Sequence, residues 1–183
     1  MGVKDEKEHL TCLWNRCQGL SPILTLRQIK IYGRSVGGDI FDFSNSFPVF
    51  SGYESKESIA RRKIEGYKYV REHFYPRQFA GEFIIHHIHV YGSISIQKFT
   101  EYVDVFRQVH LVTKEENQRL RYWQKADRFV GPEHSYKQAG ISLIKQHKKA
   151  SVNFLESIAS EKLLKHVYGD RYEEVHKYML TRK

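Results

Sequence analysis

The sequence predicts an α+β protein, because short strand-like runs alternate with longer helical patterns along its 183 residues. Two alternating runs, residues 28–32 and 39–43, flank a glycine-rich connection and predict a β-hairpin. An apolar run over 81–91 and a shorter one over 109–112 predict two further strands. The helical patterns cover residues 54–75, 113–129 and much of 139–183. A chain of this length can form one domain with a real core, or a compact centre with appendages.

The composition favours a polyanionic partner. Lys and Arg total 30 against 21 Asp and Glu, which gives a formal net charge of +9. Such an excess of positive charge indicates binding to a polyanion and says nothing about the fold. Hydrophobic residues make up 40% and aromatic residues 14%, so disorder throughout is not expected. No apolar run is long enough for a membrane span and the charged N-terminus carries no apolar signal segment, so we expect a cytoplasmic protein without membrane contact.

The N-terminal region, residues 1–78, is predicted to combine the hairpin with a basic helix over 54–75. That helix begins with acidic residues and then carries Arg61, Arg62, Lys63, Lys68 and Arg71. It could lie on phosphates, or its basic face could simply be solvated. Cys12 and Cys17, with His9 upstream, have a spacing that zinc sites use. A closed zinc site needs four ligands and there is no second Cys pair, so we expect two reduced thiols instead.

Three histidines near the end of an apolar run are the most informative feature of the chain. His86, His87 and His89 follow Phe-Ile-Ile within the predicted strand 81–91, where packing seldom selects His. Neutral imidazole is both a common metal ligand and the usual general base near neutral pH. After the strand 109–112, Thr113 and Glu116 form a capping-box pattern that predicts a helix N-terminus. Asn117, one turn into that helix, can offer a side-chain oxygen to a hard cation.

This succession of strand, His-His, loop, strand and Val-Thr-x-x-x-Asn resembles the ββα-metal finger of HNH endonucleases, most of all those of phage intron homing enzymes. The resemblance covers roughly residues 82–122, about a fifth of the chain. It implies a central ββα-metal finger with an N-terminal β-hairpin and helix region and C-terminal helices. It further implies that His86 and Asn117 bind the metal and that His87 is the general base that activates water.

The chain departs from the family pattern in two places. His86 and Asn117 are 31 positions apart, somewhat more than in the compact members. The family's middle Asn, which orients the base, has no counterpart; Gln108 stands there by spacing back from Asn117, with His110 and Asp104 as alternatives. These departures leave the orienting role open. His89 is either a third ligand or a group that points into the groove.

The resemblance implies metal-assisted hydrolysis of phosphodiester bonds in double-stranded DNA. One divalent ion, Mg²⁺ or Mn²⁺, would bind the scissile phosphate, and neutral His87 would take a proton from the attacking water. The predicted DNA contacts are Arg107, Arg119, Arg121, Lys125, Lys145, Lys148 and Lys149. The finger would occupy residues 79–130 and a helical DNA-binding region residues 131–183. One finger per chain cuts one strand, so we expect a monomer or a homodimer.

Two other readings of the sequence remain open. The chain could be a non-catalytic nucleic-acid-binding protein whose histidines are structural. It could also be an interaction domain in which Cys12, Cys17 and some histidines hold zinc. Loss of cleavage on replacing His87, with DNA binding intact, would separate the nuclease from the first of these. Loss of folding on chelation would identify the second.

Overall fold

The computed structural model describes residues 3–20, 24–125, 128–146 and 152–180. The helices are α1 (Val3–Gln18), α2 (Leu26–Ser46), α3 (Lys56–Arg61), α4 (Arg77–Tyr91), α5 (Ile96–Phe106), α6 (Lys114–Trp123), α7 (Pro132–Gln138), α8 (Glu161–Tyr168) and α9 (Tyr172–Leu180), with 3₁₀ turns at Leu155–Ser157 and Gly169–Arg171. The strands are β1 (Val49–Ser55), β2 (Val70–His73), β3 (Gln108–Val112) and β4 (Leu143–Lys145). The predicted α+β class is confirmed.

The four strands form one mixed sheet in the order β2-β3-β1-β4. β1 and β3 run parallel, with Val49 opposite Gln108, whereas β2 and β4 pair antiparallel with β3 and β1. The parallel pair needs a long crossover connection, and β2, α4 and α5 lie within it. Since Val70 lies opposite Val112, the sheet places the start of β2 beside the start of α6, which follows directly from β3.

The β-hairpin predicted over residues 28–43 is wrong, because this stretch lies inside helix α2. Thr25 and Gln28 form a capping box at the start of α2, which satisfies backbone groups there. The glycines read as a turn instead face α4. A Cβ added to Gly37 would lie 2.2 Å from the carbonyl oxygen of Arg77, so only glycine permits this packing. The two helices therefore meet backbone to backbone, as small residues allow.

The strand predicted over residues 81–91 is also wrong, because the three histidines lie on helix α4. This helix begins after Pro76 and ends at Gly92, whose φ of 80° is left-handed. Its faces are apolar on several sides, so it is buried between α2, α5 and α8. The first strand of the predicted ββα-metal finger is thus a helix, and the structure does not confirm that finger.

The helix predicted over residues 54–75 is wrong as well, whereas the strand over 109–112 and the helix start after it are confirmed. The stretch 54–75 contains the end of β1, the short helix α3 and β2. β3 contains the predicted strand 109–112, and the Thr113 and Glu116 capping box opens α6 as expected. Helices also lie in the C-terminal region, as predicted, but residues 143–145 of that region form strand β4 instead of a helix.

One hydrophobic cluster holds these elements together. Its largest fully buried side chains are Tyr75, Tyr102, Phe83, Phe99, Phe106 and Phe129. Leu10 from α1, Ile40 from α2 and Leu163 from α8 belong to the same cluster. The sequence-predicted regions 1–78, 79–130 and 131–183 therefore contribute to a shared core.

Candidate functional site

A groove of about 430 Å³ opens where β2 ends, α4 begins and α6 passes alongside. We call it the Asn117 groove. It is lined by Phe41, Glu72, Tyr75, Pro76, Arg77, Gln78, Asn117, Arg121, Gln124 and Lys125. It brings three residues predicted from the sequence, Asn117, Arg121 and Lys125, to one place. Asn117 and Arg121 lie on one face of α6, because residues four apart on a helix share a face, and Lys125 follows just after the helix ends.

The Asn117 groove has a strongly positive rim. Arg77, Arg121 and Lys125 are exposed there. The N-terminus of α4 also lies at the groove, and no side chain caps it. The first N–H groups of a helix carry partial positive charge and attract anions. The groove therefore suits a phosphate group.

Among the residues that the structure describes, Glu72 is the one that brings a carboxyl group to the Asn117 groove. Burial raises its pKa to about 7, although a hydrogen bond with Gln124 and the nearby charge of Arg121 act in the opposite direction. A carboxyl with a pKa near neutrality exchanges protons readily at physiological pH. It also leaves an oxygen ligand for a cation when it is ionised. Perturbed acids of this kind concentrate at functional sites.

Sequence reasoning missed Glu72 and Arg77. Glu72 falls within the helix predicted over residues 54–75, whereas it lies on β2 opposite His110 of β3. Pro76 was taken as the end of a helix, although proline is also frequent at the first positions of one. Reading Pro76 as a start would have placed Arg77 at a helix N-terminus.

His86 lies away from the Asn117 groove, at the contact between α4 and α8. Its ring centroid is 4.9 Å from that of His166, and the rings of His89 and His166 stack at 5.2 Å. Burial, and then the neighbouring His166 and His89, lower the pKa of His86 to about 4. His86 is nine positions after Arg77 on α4, a rise of roughly 14 Å. The predicted metal pair of His86 and Asn117 is therefore not brought together.

His87 faces a different neighbour. Its Nδ1 lies 3.1 Å from the hydroxyl of Tyr102, and its ring contacts Tyr91. Burial, with the charge of Lys98, lowers the pKa of His87 to about 4. The predicted general base thus lies on α4 about three turns from the groove, without the predicted metal ligand Asn117 beside it.

Gln108 has a structural role that the sequence did not reveal. Its side-chain amide donates to the carbonyls of Val105 and Asn153, at 2.9 and 2.8 Å. Its side-chain oxygen accepts from the Asn153 N–H at 2.8 Å. The alternative orienting residues are also occupied: Asp104 pairs with Arg107, and His110 lies 2.5 Å from Ser51. The side-chain hydrogen bonds of Gln108 therefore join β3 to residue 153, and none of them goes to His87.

The remaining predicted DNA contacts differ in their surroundings. Arg107 is mostly buried and paired with Glu6 and Asp104, which leaves little of it for a phosphate. Arg119 donates to the carbonyl of Ala139 at 2.9 Å but is half exposed. Lys145 lies on the edge strand β4 and is exposed. The remaining two, Lys148 and Lys149, lie outside the described residues.

The predicted metal site therefore does not fit the arrangement of its residues. Across the described part of the chain, no group of three or more His, Cys, Asp or Glu side chains is arranged to hold a metal ion. Cys12 is exposed and Cys17 is buried on the same helix, α1. Burial raises the pKa of the Cys17 thiol to about 12, which favours the protonated thiol at neutral pH.

Comparisons with known proteins add no identification. No family model, curated protein or solved structure matches the chain. Within the ranges that the structure describes, no helix combines the length and apolar character that a membrane crossing requires.

Proposed function

We propose that this protein binds double-stranded DNA and that the Asn117 groove holds a backbone phosphate. One observation carries the proposal: three exposed cationic side chains and an uncapped helix N-terminus converge on the same groove. Arginine and lysine contacts to phosphate supply most of the affinity of such proteins. The net charge of +9 supports the same class of partner.

The groove contains groups suited to more than charge neutralisation. Arg77 and Arg121 offer planar guanidinium groups, which bind phosphate oxygens in pairs. Asn117 and Gln124 carry side-chain amides that donate and accept. Phosphate contacts fix the position of a protein on DNA, and amide groups are common partners of base edges. The combination suits a DNA backbone better than a small free anion.

The test measures the affinity of the full chain for a labelled duplex across a range of salt concentrations. Arg121→Gln or Lys125→Gln should weaken binding about tenfold and reduce the slope of log affinity against log salt by roughly one. Lys30→Gln is the matched control, because it removes the same charge from an exposed position on α2 outside the groove. Equal weakening by Lys30→Gln would show that net charge alone drives binding and would overturn the assignment of the groove.

A second candidate function is metal-dependent endonuclease activity, as the sequence resemblance implies. One observation favours it: Glu72 and Asn117, an acid and an amide, line the same phosphate-binding groove. Mg²⁺ typically binds through one or two carboxylates together with substrate phosphates. Such an ion would supply positive charge to a phosphodiester undergoing hydrolysis. On this proposal Glu72 and Asn117 hold the ion, in place of His86 and Asn117.

Cleavage of supercoiled plasmid with Mg²⁺, with an EDTA control, tests the second candidate. Glu72→Gln should abolish metal-dependent nicking while leaving duplex affinity within about twofold of the native chain. His87→Ala should leave nicking largely intact. The opposite pattern, loss with His87→Ala only, would restore the histidine-based site. Binding without any cleavage would leave the DNA-binding proposal standing and overturn the nuclease proposal.

A further inference from the structure

A second cavity, separate from the Asn117 groove, lies between the sheet and α7. Its volume is about 600 Å³, within the usual range of ligand sites. We call it the Tyr136 pocket. Four aromatic side chains line it: Tyr53, Phe74, Tyr136 and Phe154.

The aromatic walls of the Tyr136 pocket form a connected set. The ring of Phe74 lies 5.7 Å from that of Tyr136 and 5.4 Å from that of Phe154. Behind them, His110 makes edge contacts with Phe74 at 4.7 Å and with Tyr136 at 5.6 Å. Rings packed in this way present faces and edges to a planar guest.

Two buried polar atoms of the aromatic cluster at the Tyr136 pocket have no hydrogen-bond partner among the described residues. These are the hydroxyl oxygen of Tyr136 and Nε2 of His110. Both side chains are almost fully buried, at 4% and 0% exposure. Buried hydrogen-bonding groups are nearly always paired, so two unsatisfied atoms in one cluster of aromatic rings need an explanation. Both atoms are covered by the rings, so a ligand that displaces a ring on entry and carries its own donors and acceptors would supply one.

We propose that the Tyr136 pocket binds a nucleobase, stacked among the aromatic rings and hydrogen-bonded through its edge to Tyr136. A nucleobase combines a flat π surface with donors and acceptors along its edge, which matches both features of the pocket. Unstacked bases are commonly held between aromatic side chains in this way. The exposed Lys137 at the pocket edge suits the phosphate of the same nucleotide. The proposal does not depend on the Asn117 groove.

The experiment titrates adenosine, guanosine and cytidine into the full chain and follows binding by ligand-observed NMR, with ribose as the control lacking a base. Tyr136→Phe keeps the ring and removes only the hydroxyl. It should weaken nucleoside binding about tenfold while leaving the unfolding midpoint unchanged or higher, because it removes a buried unpaired group. Tyr69→Phe, at an exposed position outside the pocket, should change neither quantity.

A second variant keeps the test decisive. Ser142 is exposed at the pocket, so Ser142→Trp should place a large ring in the cavity with little harm to the core. It should abolish nucleoside binding, whereas Arg121→Gln in the Asn117 groove should leave it unchanged. Absence of saturable nucleoside binding to the native chain would overturn the proposal. So would native affinity in both Tyr136→Phe and Ser142→Trp.

Discussion

Gly81 of α4 packs directly on Gly33 of α2. A Cβ built on Gly81 would lie 1.9 Å from the carbonyl oxygen of Gly33 and 2.4 Å from the backbone nitrogen of Gly37. Both obstacles are backbone atoms, so no side-chain rotation relieves the overlap. The position of α4, and hence of the groove at its N-terminus, therefore depends on the absence of one methyl group.

Gly81→Ala should consequently destabilise the protein by about 3 kcal/mol, because α2 and α4 must move apart. Urea denaturation followed by circular dichroism would measure the change. Gly19→Ala is the matched control, since nothing lies within 4 Å of a Cβ there. A loss of stability in Gly81→Ala no larger than that in Gly19→Ala would contradict the packing described above.

Gln108→Ala should lower the free energy of unfolding by about 2 kcal/mol, because it removes hydrogen bonds to Val105 and Asn153. The same variant should leave duplex affinity unchanged, since Gln108 lies outside the Asn117 groove. Gln138→Ala, at an exposed position on α7, serves as the control. A selective loss of DNA cleavage in Gln108→Ala with normal stability would instead support the orienting role predicted from the sequence.

The raised pKa of Glu72 predicts that the free energy of unfolding falls as the pH rises. Its folded-state pKa of about 7 lies above the ordinary 4.5, so the folded protein holds a proton that the unfolded chain releases. The resulting stability is complete below about pH 4.5 and is lost as the pH rises through 7. Glu72→Gln removes this dependence and should gain about 2 kcal/mol relative to the native chain between pH 4.5 and 8. Urea denaturation at pH 4.5 and at pH 8 measures this difference in stability. Glu65→Gln, at an exposed position, is the control. A constant difference between Glu72→Gln and the native chain would contradict the shift.

The lowered pKa values of the buried histidines predict the opposite pH dependence, in which the protein loses stability as the pH falls. Burial lowers the pKa of His73 and His86 to about 4 and that of His110 to about 3, below the ordinary 6.5. The unfolded chain therefore binds more protons, and stability present above pH 6.5 is lost on acidification toward pH 4. Each such group contributes about 2 kcal/mol over that range.

His86→Phe isolates one of these contributions. It removes the titrating ring that contacts His89 and His166, so the unfolding free energy should fall less steeply between pH 6.5 and 4.5. His9→Phe, at an exposed position on α1, should retain the native slope. Identical slopes in all three proteins would show that His86 contributes nothing to acid sensitivity.

Sequence patterns predicted the structure correctly where a side chain hydrogen-bonds to backbone groups a few residues away. The capping box of Thr113 and Glu116 placed the start of α6 correctly, and so placed Asn117 and Arg121 on one face of that helix. Thr25 and Gln28 form the equivalent capping box at the start of α2, but the glycines in that stretch resemble a turn and led to the hairpin prediction. Those glycines serve a contact with α4, which is distant in sequence and therefore invisible to a local pattern.

The apolar run before His86 shows a different limit of sequence reasoning. A short apolar run fits a buried strand and a buried helix equally well. Gly92 offered a helix C-terminal signal, and Pro76 offered an N-terminal one, but the histidine motif favoured a strand. Glu72 was unpredictable for another reason: its raised pKa comes from burial against elements that only the fold brings together.

The short edge strands of the sheet affect how readily two copies of the chain associate. Its two edge strands, β2 and β4, contain four and three residues. Edge strands this short present few unpaired backbone groups to a strand of another molecule. Edge-to-edge pairing of these strands would therefore gain little, and self-association by continuation of the described sheet is disfavoured at the concentrations that a ligand titration requires.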